Sequence, residues 1–275
     1  MRKRDILLAA LALLIAWQIA AMVLQREILP TPLVVLNAFG KQLSVSKLVE
    51  LLNAQKIAPT LDAAWDAWRD LFLRSLDGHF IVSAWRVIAS IALAVALATP
   101  VGMALGQYPR VNRFFAPVIY LTYPIPKIVL LPIVILFLGI GDASKIAVIF
   151  LILFFQVLVV VRDASAALRP ELIYSVRSLG AGRRALLRFV YLPATLPAVL
   201  TAIRLSIATA IAVLFFTETF ATTAGLGYYV ITDTFSRVAY PEMYAGVVAM
   251  SVLGLVLYFV VDWLERILCP YFFAK

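Results

Sequence analysis

Hydrophobic and polar positions alternate along this chain in long blocks. Apolar runs cover residues 6–24, 80–106, 114–140, 145–161, 192–216 and 243–261. Each is close to the ~20 residues that an α-helix needs to cross a bilayer. The pattern predicts an all-α, polytopic membrane protein with six transmembrane helices. The cationic start Met1–Asp5 (MRKRD) resembles the n-region of a signal peptide. The apolar run behind it is longer than a usual h-region, and no small-residue cleavage site follows before Gln25-Arg26-Glu27. It is therefore read as an uncleaved first span with its N-terminus inside.

The third run is irregular. Pro117, Pro124, Pro126 and Pro132 fall within it, with Lys127 among them. Prolines free backbone carbonyls, which neighbours or a water-lined cavity must then satisfy. A lysine facing lipid there costs a few kcal/mol at least. Both features direct this segment to the bundle interior. In the second run, Gly102 and Gly106 form a G-x-x-x-G pair, which allows close helix approach in lipid. Between the first two runs, Ser46–Gln55 and Leu61–Leu76 have apolar residues at helical spacing, including Trp65 and Trp68. They are expected to pack over the outer ends of the spans.

Composition agrees with this class. The chain is 64% hydrophobic and 14% charged, far from the balance of a soluble domain. The net charge of +9 is not a nucleic-acid signature, because no basic stripe is interleaved with aromatics. Cytoplasmic loops collect Lys and Arg, and residues 162–188 carry six arginines. That loop sets the orientation, and six spans put both termini in the cytoplasm. One cysteine, Cys269, excludes an intrachain disulfide, and one histidine, His79, excludes a histidine-cluster metal site. Gly40-Lys41 lacks the phosphate-loop pattern, since Val35 stands where a glycine is required and Gln42 where Ser or Thr is. No catalytic constellation and no cofactor are expected.

The polar stretch Pro170–Pro197 carries the most information. Pro170 suits a first helical position, and Glu171–Leu179 then forms two turns. Gly180 permits a turn with φ > 0, and a second helix is expected over Ala181–Tyr191 before Pro193 and Pro197. The register Tyr174-Ser175-Val176, three residues, Gly180, nine residues, Val190, Tyr191, Leu192-Pro193 resembles the EAA loop of permeases from binding-protein-dependent ABC importers. The letters E-A-A are replaced by Tyr-Ser-Val. The LTYPIPKIVLLP…GIG segment and the pairing of Glu218 with Gly225-Leu226-Gly227 also resemble that family.

The resemblance covers roughly Phe80 to Ile267 and is nearest the nitrate, sulfonate and taurine branch. It implies a type I permease fold: an N-terminal helix with an external segment over 1–79, a core domain over 80–268 with a coupling loop over 162–192, and a cytoplasmic tail over 269–275. It implies coupling to a separate cytoplasmic ATPase through Tyr174, Ser175, Val176, Arg177, Leu179, Gly180 and Ala181. It further implies an external solute-binding protein, a second permease copy as a homodimer, and a location in the bacterial inner membrane. Lys127 and Glu218 are the candidates for a translocation path for a small anionic solute. Arg204, a turn or two inside the fifth span, reads equally as a functional charge or as a side chain snorkelling to the membrane edge. The alternative from another class is an ion-coupled secondary transporter, with Glu218 or Lys127 relaying protons and no ATPase.

Overall fold

The computed structural model describes residues 3–47, 69, 71, 72 and 74–273. Among the described residues there is no strand. Among the described residues, four helices are long and apolar enough to cross a membrane: Leu76–Gln107, Asp142–Ala166, Arg183–Thr219 and Tyr240–Leu268. A fifth crossing is formed if the helices Pro109–Thr122 and Lys127–Leu138, bent by 79°, count as one broken span. The N-terminal helix Lys3–Leu24 is apolar from Leu8 onward. The amphipathic segments expected around Trp65 and Trp68 lie outside the described residues.

The chain forms two compact units, Met1–Ser83 with Glu218–Val252, and Ala84–Thr217 with Leu253–Lys275. In the first, the Trp17 indole donates to the Pro30 carbonyl (3.1 Å) and its ring lies 5.9 Å from that of Tyr244. The short helix Pro32–Lys41 begins with proline at its first position and buries Val35 and Ala38. Asp77 accepts from the Ser44 backbone N–H (3.1 Å) and from the Ser44 hydroxyl, tying the segment after that helix to the start of Leu76–Gln107. Gly246 sits against Tyr229 and Val230 so closely that an added Cβ would lie 2.7 Å from the Val230 side chain.

In the second unit, the G-x-x-x-G expectation holds. A Cβ on Gly102 would lie 3.0 Å from the Leu158 carbonyl oxygen, and one on Gly106 would lie 2.5 Å from that of Arg162. Contact this close lets side chains reach across. Ser165 donates to the Met103 carbonyl (3.1 Å), and the Gln107 amide donates back to the Ser165 hydroxyl (3.2 Å). At the other end of the same helix pair, buried Arg86 meets Asp142 at 2.7 Å.

The stretch after Gly180 differs from expectation. No separate helix runs over Ala181–Tyr191. Helical turns start at Arg183, pass through a π turn over Leu187–Tyr191 and continue without a break to Thr219. Pro193 and Pro197 do not end the helix because its carbonyls find other donors. Pro197 has no N–H for the Pro193 carbonyl four residues earlier, and the Tyr271 hydroxyl donates to that oxygen instead (2.5 Å). Thr195 donates to the Tyr191 carbonyl (2.7 Å), and the wider π turn absorbs the remaining mismatch.

Candidate functional site

Three polar places stand out. The first is the segment Pro170–Gly180. Arg169 precedes the helix in an extended conformation, Pro170 opens it, and Glu171 sits in its first turn, where a carboxylate favours the helix dipole. The helix Pro170–Ser178 contains no buried residue. Ser175 and Ser178 bond back to the carbonyls of Glu171 and Ser175 at 2.7 and 2.8 Å. Leu172 and Val176, one turn apart, face a cavity of about 300 Å³ walled by Phe189, Val190, Pro193, Ala194 and Tyr271. Tyr174 is 65% exposed and Arg177 is exposed, whereas Leu179 at the tip is 85% exposed. Gly180 follows with φ +81°, a conformation an L-residue rarely adopts, and with open space around its Cα. Ala181 is half-buried beyond it. This geometry leaves a short amphipathic helix resting on the body by one face, with an unusually exposed leucine at its end.

The second place is the break between Pro109–Thr122 and Lys127–Leu138. Pro126 cannot donate to the Thr122 carbonyl, which keeps only a long bond from the Ile125 N–H (3.3 Å), so the end of the first helix is under-satisfied. Lys127, only 8% exposed, closes it. Its ammonium donates to the carbonyls of Thr122 (2.9 Å), Tyr123 (3.1 Å) and Ile125 (3.3 Å). It also lies over the Phe155 ring, 4.6 Å from the centroid. Three protons meet three carbonyls, and a cation sits where the helix dipole is negative. Beside it is a cavity of about 380 Å³, lined by Lys127, Tyr123, Gln156 and Thr209 together with apolar side chains. The Gln156 side-chain oxygen is buried with no hydrogen-bond partner among the described residues. The lysine therefore pins the bend, and the polar wall of the cavity is shared between it and Gln156, which the sequence reading did not single out.

The third place surrounds Glu218, which is fully buried. Its two carboxylate oxygens accept from the Ser83 hydroxyl at 2.9 and 2.8 Å, and one also accepts from the Gly227 backbone N–H at 2.9 Å. Ser83 in turn accepts from the Leu226 N–H (2.8 Å), and the His79 Nδ1 accepts from the Gly225 N–H (3.0 Å). His79 thus holds its Nδ1 unprotonated toward the loop. Gly225 has φ +120°, and a Cβ there would lie 2.3 Å from the Glu218 carboxyl carbon. The Gly225-Leu226-Gly227 turn is wrapped around the carboxylate, with its N–H groups pointing inward. Ser83 lies 135 residues from Glu218 along the chain, and His79 lies 146 from Gly225. No local pattern reveals them.

Arg204 stands apart from these. It is paired with Glu265 and lies 3.5 Å from Asp262, both on the last long helix, with its side chain 23% exposed. Among the described residues no group of three or more His, Cys, Asp or Glu side chains is placed to hold a metal ion.

Known proteins fit this geometry. The family model of the binding-protein-dependent transport system inner membrane component matches residues 82–272. The chain is 29% identical to the taurine transport system permease protein TauC of Escherichia coli (strain K12), over 70% of each chain. It is 26% identical to the formylaminopyrimidine transport permease protein ThiX of Halalkalibacterium halodurans, over 95% of this chain and 93% of that one. A chain of the MetNI methionine ABC transporter in an inward-facing conformation aligns with a TM-score of 0.56 at 20% identity, over 70% of this chain and 95% of its own. That likeness gives the fold, the type I ABC importer permease fold. The chain belongs to the family of binding-protein-dependent transport system inner membrane components, ABC importer permeases in which a separate subunit hydrolyses ATP and a binding protein delivers the solute.

Proposed function

We propose that this chain forms the translocation path for a small anionic solute of the nitrate, sulfonate or taurine kind, and that the helix Pro170–Ser178 couples the path to the ATPase. The exposed helix ending in Leu179 and hinged on the positive-φ Gly180 carries this reading. An exposed leucine and tyrosine on a helix with no buried residue suit a groove on a partner. Tyr174, Ser175, Val176, Arg177, Leu179, Gly180 and Ala181 make the docking segment. Tyr174 takes the place of the carboxylate in the family pattern, so the contact there is aromatic rather than ionic.

Similarity to TauC supports a sulfonate-like solute, and Lys127 supports it by contributing positive potential beside the cavity. With its three protons on carbonyls, Lys127 acts through charge and by holding the bend, and Gln156 offers the free polar atom. Glu218 shapes the path indirectly, by fixing the Gly225–Gly227 turn. The unit works as a homodimer, with six spans in each copy, the Lys3–Leu24 helix as the first, and both termini in the cytoplasm. The 1–79 segment is a peripheral addition to the 80–268 core, and 269–275 is the cytoplasmic tail. Family membership removes the need for the ion-coupled alternative.

Gly180→Val tests the coupling role. The chain inserts and is expressed normally, because the space around Gly180 is open and the long helices are untouched. A β-branched residue at φ +81° forces the hinge into another conformation. The ATPase then no longer co-purifies and uptake falls sharply, while the binding protein still holds its solute. Normal co-purification with normal uptake refutes the assignment.

A further inference from the structure

A cavity of about 340 Å³ opens between the last two turns of Leu76–Gln107 and the first turns of Arg183–Thr219. Its floor is apolar, with Met103 and Leu187, and its rim carries Tyr108, Tyr191, Arg183 and Arg184. Other cations nearby are engaged: Arg162 meets Asp163 at 2.8 Å, and Arg188 lies over the Phe189 ring. Among the described residues, neither the Arg183 nor the Arg184 guanidinium has a carboxylate or hydrogen-bond partner. Two unpaired arginines on one wall of a cleft leave an uncompensated positive potential. The cleft also lies where two membrane-length helices end, which is headgroup depth in a bilayer. Leu187, in its lining, is itself partly exposed. Tyrosines at this depth are the usual interfacial residues.

We propose that this cleft binds the phosphate headgroup of an anionic phospholipid, with Arg183 and Arg184 on the phosphate and an acyl chain along Met103 and Leu187. Guanidinium groups bind phosphate through paired, charge-assisted hydrogen bonds. A basic pocket between membrane helices at one leaflet fits an anionic headgroup. The apolar floor favours an amphiphile over a soluble anion. The inference uses the family reading only in taking these helices to span a membrane; it does not depend on ATPase docking at Pro170–Gly180.

The test is lipid retention. Permease purified from bacterial membranes in a nonionic detergent is extracted, and its phospholipids are quantified by mass spectrometry. The wild type retains anionic phospholipid, and R183Q/R184Q loses it. In neutral-lipid nanodiscs titrated with phosphatidylglycerol, the double variant binds about thirtyfold more weakly, the effect of removing two basic residues at a membrane surface. R183K/R184K binds between the wild type and R183Q/R184Q, because lysine keeps the charge but not the paired guanidinium bonds. If R183Q/R184Q does not fold, R184Q alone is used and gives intermediate retention. Equal retention in wild type and variant overturns the proposal. So does inorganic phosphate that competes fully with the lipid, which identifies a soluble anion as the occupant. Loss of ATPase co-purification with lipid retained also overturns it, by assigning the arginines to the ATPase. Because Gly180→Val reads ATPase docking separately, failure of the lipid proposal and failure of the coupling reading are distinguishable.

Discussion

Replacing Gly225 by alanine tests whether the buried carboxylate of Glu218 organises its surroundings. Gly225 has φ +120° and ψ 160°, a region open to glycine almost alone. Backbone strain there costs about 1–3 kcal/mol. The added Cβ meets the Glu218 carboxylate at 2.3 to 2.6 Å, so the two must separate. Glu218 is fully buried and held by Ser83 and Gly227, and it cannot move without leaving a buried polar group unpaired. Leaving one such buried group unsatisfied costs about 1–3 kcal/mol. Together these give a loss of roughly 2–6 kcal/mol for Gly225→Ala. Gly180→Ala is the internal control. It also places a Cβ at positive φ, but nothing lies within 4 Å, so only the conformational cost of about 1 kcal/mol applies. Denaturant unfolding of both variants in detergent, followed by helical circular dichroism, measures the difference. If the two alanines lower the midpoint equally, the carboxylate clamp contributes nothing and the reasoning fails.

Two further predictions follow from the charges. Arg204→Leu leaves Glu265, which is 5% exposed, without its strongest partner and destabilises the protein by about 3 kcal/mol. Arg204→Leu combined with Glu265→Leu restores most of that loss in the same unfolding measurement; a double variant as unstable as the single one contradicts the pairing. Lys127→Met removes three bonds to carbonyls at the helix break, so backbone amide exchange over 123–130 rises by about tenfold or more in mass-spectrometric exchange experiments. Unchanged exchange there means that Lys127 does not hold the bend.

What the sequence reveals depends on how local the cause is. The Gly180 turn needs one residue free to take positive φ, and a glycine after two turns of helix announces it. The Gly102/Gly106 approach needs two small residues on one helix face, and their spacing is enough. The broken third span was foreshadowed by Pro124 and Pro126, because missing N–H groups leave carbonyls that something must satisfy. Its division at Tyr123–Pro126 and the 79° bend were not foreshadowed, since they depend on where Lys127 can reach. The continuation of the helix through Pro193 and Pro197 was hidden for a related reason. The donor that rescues the Pro193 carbonyl is Tyr271, 78 residues away. Glu218 was visible as a charge at the end of an apolar run, but Ser83, which donates to it, and His79, which holds the Gly225 N–H of the turn around it, lie on another helix. Arg204 was visible too, and its partners Asp262 and Glu265 belong to the last span. Charges in a bilayer-facing protein are legible one by one, whereas their pairing is a property of the packing.

The central claim is that the exposed tip of the Pro170–Ser178 helix enters the ATPase. Cys269, the chain's single cysteine, is buried, so a cysteine at Leu179 is the one reactive thiol in otherwise native protein. Leu179→Cys is treated with a short bifunctional thiol reagent in membranes that also contain the ATPase subunit bearing a cysteine in its docking groove. The account predicts a permease–ATPase crosslink that forms from Leu179→Cys and is lost when Gly180→Val is added. No crosslink from Leu179, with efficient crosslinking from a cysteine placed elsewhere on the chain, contradicts it.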